Sequence, residues 1–128
     1  MSYYVSRMLP ISFNEAVTRT TDGLKKEGFG VLTEIDVKET LKKKIGVDFT
    51  DYRILGACNP TLAYEAIKLE SKVGTMLPCN IVVRDAGNGQ TEVAAIDPVA
   101  SMQAIDNPDL KRVAAQVRAK LEKMIAEL

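Results

Sequence analysis

The stretch MLPCNIVVRDAGNGQTEVAAI, residues 76–96, decides the fold of this chain. Residues 76–85 and 90–96 are rich in β-branched and other apolar residues, and they meet across Gly87, Asn88 and Gly89. An Asn-Gly pair between two such runs predicts a tight β-hairpin. We therefore expect two neighbouring antiparallel strands here.

The first of these two strands is apolar on both of its faces. Successive side chains of a strand point to opposite sides, so one face carries Leu77, Cys79, Ile81 and Val83 and the other carries Pro78, Asn80, Val82 and Arg84. Long amphipathic helices can bury one face of such a sheet. The second face then requires short helices, a ligand or another subunit to cover it.

Four helix starts are marked by capping residues. They are Ser12 with Glu15, Asp36 with Glu39, Asn59 with Pro60, and Asn107 with Pro108. Gly28 and Gly46 are typical helix ends for the first two. The predicted helices span about residues 13–27, 37–45, a segment from residue 60, and a long amphipathic segment from residue 108 to the end.

Three more β-prone runs lie at residues 2–9, 30–35 and 52–58. The order along the chain is then β-α-β-α-β-α-β-β-α. This order predicts an α+β fold with one five-stranded, mainly antiparallel sheet and two long helices on one face. The length of 128 residues fits a single domain over residues 1–128.

Composition excludes several classes of function. The chain has no histidine, which removes Ser-His-Asp and Cys-His nucleophile activation and Cys₂His₂ zinc sites. Lys plus Arg and Asp plus Glu both count 17, so no net basic field favours nucleic acid. No segment has the length of a membrane span or the apolar core of a signal peptide, and we expect a cytoplasmic protein with reduced thiols.

Three separated motifs closely resemble the domain-of-unknown-function family 302. They are GVLTEIDV at residues 30–37, LGACNP at residues 55–60 and MLPCNI at residues 76–81, followed by IDP at residues 96–98. The resemblance extends over nearly the whole chain. It implies a TATA-binding-protein-like fold, an antiparallel sheet with long helices on one side, and it implies no activity, substrate or cofactor.

Cys58 and Cys79 are the candidate functional residues. Cys58 precedes the start of the third helix, where the helix dipole stabilises a thiolate, whereas Cys79 lies in an apolar strand. Neighbouring third and fourth strands would bring the two thiols near each other. They then form a redox pair, a thiolate nucleophile or a two-sulfur site for a soft metal such as Cu(I), unless both are simply small buried side chains.

Glu34 and Asn59 complete the candidate ligand site. Glu34 lies between apolar strand residues, so it is either a partly buried pocket group with a raised pKa or a charge that protects an edge strand. Asn59 is typical of a helix N-cap, and we expect this role first.

Two functions follow from these residues. The first is a small binding module, acting as a homodimer, that takes a small molecule or a soft metal near the two cysteines. The alternative is a thiol-dependent redox enzyme in which Cys58 attacks and Cys79 resolves. Nucleic-acid binding ranks last because Arg53, Arg84 and Tyr52 are too few for a basic stacking surface.

Overall fold

The hairpin forms as the sequence predicts. In the computed structural model, which describes residues 2–128, strands β4 (Cys79–Gly87) and β5 (Gln90–Ile96) pair in antiparallel fashion. Asn88 and Gly89 have φ angles of 55° and 74°, which suit a tight two-residue turn. Strand β4 begins three residues later than predicted, because Val73–Met76 form a short 3₁₀ helix and Pro78 has no N–H to donate to a ladder.

The remaining elements follow the predicted order. The other strands are β1 (Tyr4–Leu9), β2 (Gly30–Asp36) and β3 (Tyr52–Cys58). The helices are α1 (Phe13–Lys26), α2 (Val37–Ile45), α3 (Pro60–Leu69), α4 (Pro98–Ser101) and α5 (Pro108–Ala126). The five strands form one sheet in the order β1-β5-β4-β3-β2, and every neighbouring pair is antiparallel. The predicted α+β architecture is confirmed.

The predicted helix caps are all present. The side chains of Ser12, Asp36, Asn59 and Asn107 each accept a hydrogen bond from a backbone N–H in the first turn of their helix. Asp97, which precedes Pro98, caps the four-residue helix α4 in the same way. Local capping chemistry thus sets where each helix begins.

The long helices α1 and α5 cover one face of the sheet. Leu24 of α1 and Leu121 of α5 are fully buried against Leu55, Ile81 and Val93 of the three central strands. A second apolar cluster fills the space between α3, α4, the 3₁₀ helix and the first half of α5. No helix within residues 2–128 is long and apolar enough to cross a membrane.

Candidate functional site

Cys79 opens strand β4 on the helix-covered face of the sheet. It pairs with Ala57 of β3, and its side chain is buried in the main core. Burial, and to a smaller extent the charge of Cys58, raises the pKa of the Cys79 thiol from its ordinary value of 9.0 to about 11. Cys79 is therefore a neutral thiol at physiological pH.

Cys58 ends strand β3, opposite Gly30 of β2, and it is partly exposed. Since Cys79 pairs with Ala57, Cys58 is one position out of register with it. The predicted neighbouring of β3 and β4 is confirmed, but it does not bring the two thiols together as a pair, and both cysteines are free. The reason is the pleat, because adjacent residues of a strand point to opposite faces.

Asn59 caps the start of α3, and its side chain lies beside Gly28, which follows α1. Its Oδ1 accepts a hydrogen bond of 3.2 Å from the backbone N–H of Leu62. Its Nδ2 would lie only 3.1 Å from a Cβ atom at Gly28, whose φ angle is +83°. Gly28 therefore suits this position both for its φ angle and for the space that the Asn59 side chain takes.

A small cavity lies beside these residues, between α3, α5 and the ends of β3 and β4. It has a volume of about 40 Å³, and Cys58, Asn59 and Cys79 border it together with apolar side chains such as Leu62, Leu77 and Val113. Pockets for organic ligands typically measure about 300–1,000 Å³. This cavity therefore suits one ion or a molecule of very few atoms.

Glu34 lies outside this arrangement. It pairs with Leu55 in the ladder, whereas Cys58 is opposite Gly30, and four residues along a strand span roughly 13 Å. The side chain of Glu34 is exposed, and its Oε1 accepts a hydrogen bond of 3.0 Å from Nη1 of Arg53. Of the two interpretations of Glu34, a partly buried pocket group disagrees with its exposure, whereas an edge-strand charge agrees with the position of β2 at the edge of the sheet.

The chain offers few donors for a metal. Within residues 2–128 no group of three or more Cys, Asp or Glu side chains is arranged to hold an ion. Any metal at the cavity would thus depend on the two thiols alone. Two-coordinate binding by thiolates is typical of soft ions such as Cu(I).

A larger groove lies on the opposite face of the sheet and was not among the predicted site residues. Its volume is about 610 Å³, and the residues along it include Tyr4, Tyr52, Asn80, Arg84 and Glu92. The segment 75–78 and Ser101 border it as well. The sequence did carry a signal for it, since the alternation in β4 predicts a second face that is partly apolar.

Comparisons with known proteins agree with the fold. Residues 5–128 match the family described as "Domain of unknown function DUF302". Among solved structures, the chain is similar to the crystal structure of an uncharacterized conserved DUF302 protein from Bacillus stearothermophilus. The two sequences are 33% identical over 98% of each chain, and the TM-score is 0.90. No curated protein matches this chain.

Proposed function

Since this chain belongs to the DUF302 family, whose description names no reaction, we propose from its own geometry that it is a small binding module. Its site is the cavity beside Cys58, Cys79 and Asn59, and its ligand is a soft metal ion or a molecule of very few atoms. The observation that carries this proposal is that both cysteine residues border one small apolar cavity.

The size and polarity of the cavity favour a soft ligand. Its walls are mostly apolar, and hard cations require several oxygen ligands. A soft ion such as Cu(I) needs only two thiolates and tolerates apolar surroundings. Binding replaces two S–H bonds by two metal–sulfur bonds and releases two protons to solvent, and the side chain of Cys58 must turn toward Cys79.

The high pKa of Cys79 argues against the redox alternative. A resolving cysteine attacks as a thiolate, and with a pKa of about 11 only about one Cys79 in ten thousand is ionised at pH 7. Cys58 and Cys79 are also out of register in the ladder, so disulfide formation would require rearrangement. Metal binding meets the same high pKa and the same offset, but it needs no repeated turnover, and it is the function that we favour.

Competition for Cu(I) under anaerobic, reducing conditions tests this proposal. A colorimetric Cu(I) chelator competes with the wild type, Cys58→Ser and Cys79→Ser. We expect one ion per chain in the wild type and loss of this binding in both variants. Wild-type affinity that equals that of the Cys79→Ser variant would exclude the cavity as the site.

We also propose that the module is a homodimer. The support for this is the open, partly apolar face of the sheet, which the single chain leaves uncovered.

A further inference from the structure

The open sheet face has a regular arrangement of side chains. The pairing registers place them in rows that cross the strands. The middle row is Ser6, Ala94, Val82, Ile54 and Ile35, and the next row toward the β4–β5 turn is Met8, Glu92, Arg84 and Tyr52. The middle row is apolar except at its β1 end.

Large apolar side chains on this face reach solvent at both edges of the sheet. Met8 on β1 is 48% exposed and Ile35 on β2 is 47% exposed. These strands are the two edges, so the exposed side chains lie on either side of the partly buried centre. Exposed large apolar side chains on a partly apolar sheet face mark an interaction site.

One ion pair lies near the centre of the face. Nε of Arg84 donates a hydrogen bond of 2.7 Å to Oε1 of Glu92, and their side chains are 41% and 21% exposed. This bond uses only one N–H of the guanidinium, so its two terminal nitrogens and the second carboxylate oxygen keep hydrogen-bonding capacity beside the groove that both residues line.

The chemistry of this pair decides between occupants of the groove. The two opposite charges cancel, so the pair does not attract a free anion or a free cation strongly. It offers donors and acceptors side by side, and the surface that complements it must offer acceptors and donors in the reverse order. The same pair on a second copy does so when it is turned by a two-fold axis.

The sheet geometry permits such an axis. A two-fold axis parallel to the strands and between β4 and β5 sets Arg84 of one copy against Glu92 of the other. The same axis sets Val82 against Ala94 in the middle row, because these residues are also cross-strand partners. The charged row of one copy then faces the charged row of the other, and the apolar middle rows face each other, as in isologous interfaces.

We infer that two copies of this chain associate through their open sheet faces, with Arg84 and Glu92 of each copy forming reciprocal ion pairs across the two-fold axis. This inference rests on the proposed homodimer and is independent of the thiol cavity. If the chain proves monomeric, the proposed Cu(I) site is unaffected. If the chain does not bind Cu(I), the proposed interface is unaffected.

Light scattering after size exclusion, at micromolar concentrations, tests the inference. We expect a wild-type mass of twice 14.0 kDa. Arg84→Glu places like charges at the centre and should weaken the dimer by about 30-fold or more, the effect of breaking a buried charge pair at an interface. The double variant Arg84→Glu, Glu92→Arg restores opposite charges within and between copies and should recover the dimer.

Two further variants keep the test decisive. Ser6→Arg adds a charge at an exposed edge position of the middle row without touching the ion pair, and it should also give a monomer. Arg112→Glu reverses a charge in an exposed ion pair on α5 and should leave the dimer intact. Circular dichroism identifies any variant that does not fold.

Three outcomes would overturn the inference. They are a wild-type mass of 14.0 kDa at every concentration, a dimer that survives both Arg84→Glu and Ser6→Arg, and a monomer that carries a co-purified small molecule in native mass spectrometry. The last outcome would assign the groove to a small ligand instead.

Discussion

Cys79 lies directly opposite Ala57 in the β3–β4 ladder, and Cys58 is the next residue along β3. This one-residue offset gives the two thiols different surroundings, although both cysteine residues border one cavity. Cys79 is enclosed by the core, whereas Cys58 is partly exposed at the end of its strand. The two thiols should therefore differ in reactivity.

Alkylation by iodoacetamide should modify Cys58 before Cys79 in the native protein. The thiolate is the reacting form, and burial both blocks access to Cys79 and raises its pKa to about 11. Peptide mass spectrometry as a function of time and pH separates the two rates. Unfolded protein is the control, in which both thiols should react at similar rates. Equal native rates would contradict the assigned burial.

Unfolding in mild alkali should reveal the raised pKa of Cys79. Its folded pKa lies above its unfolded pKa, so its stabilising contribution is complete below about pH 9 and is lost as the pH rises toward 11. Two pKa units correspond to about 2 to 3 kcal/mol. Chemical denaturation of the wild type and of Cys79→Val between these pH values measures the difference, because the variant lacks this titration. If the free energies of unfolding of the two proteins changed in parallel with pH, the raised pKa of Cys79 would be excluded.

Gly56→Ala should destabilise the protein by about 2 kcal/mol, the usual effect of forcing extra atoms into a packed site. A Cβ atom at Gly56 would lie 2.1 Å from Oγ1 of Thr33 and 2.8 Å from Cγ of Pro78. Denaturant midpoints give the change in the free energy of unfolding.

Gly74→Ala is the matched control for this substitution. Nothing lies within 4 Å of a Cβ atom at Gly74, so this variant should stay close to the wild type. Adding Thr33→Ala to Gly56→Ala should recover part of the loss, since it removes the nearest atom. If Gly56→Ala alone had the same denaturant midpoint as the wild type, the close packing of Gly56 against Thr33 and Pro78 would be contradicted.

Thr20→Val should stabilise the protein by about 1 kcal/mol. The side chain of Thr20 is fully buried on α1, and its hydroxyl has no hydrogen-bond partner among the described residues. Valine keeps the shape and removes the cost of burying an unpaired hydroxyl. Thr21→Val is the control, because the hydroxyl of Thr21 donates a hydrogen bond of 2.9 Å to the carbonyl of Val17. Thermal unfolding should rank Thr20→Val above the wild type and Thr21→Val at or below it.

The sequence by itself determined the elements whose signals are local. The Asn59 and Asn107 caps and the turn at Asn88 depend on residues within about four positions, and all three formed as predicted. Residue alternation in β4 likewise predicted both the core face and the open face. The antiparallel character of the sheet followed from the hairpin and the resemblance to family 302, whereas the order β1-β5-β4-β3-β2 was not predicted.

Only the tertiary structure decided the pairings on which the two candidate surfaces depend. A regular two-residue turn would set Arg84 opposite Val93, but the ladder shifts by one residue between Asp85 and Gly87, and this places Arg84 opposite Glu92. The edge position of β2 exposed Glu34, and the offset between β3 and β4 separated Cys58 from Cys79. Strand register is set by packing across the whole sheet, because a shift of one residue moves every side chain to the other face.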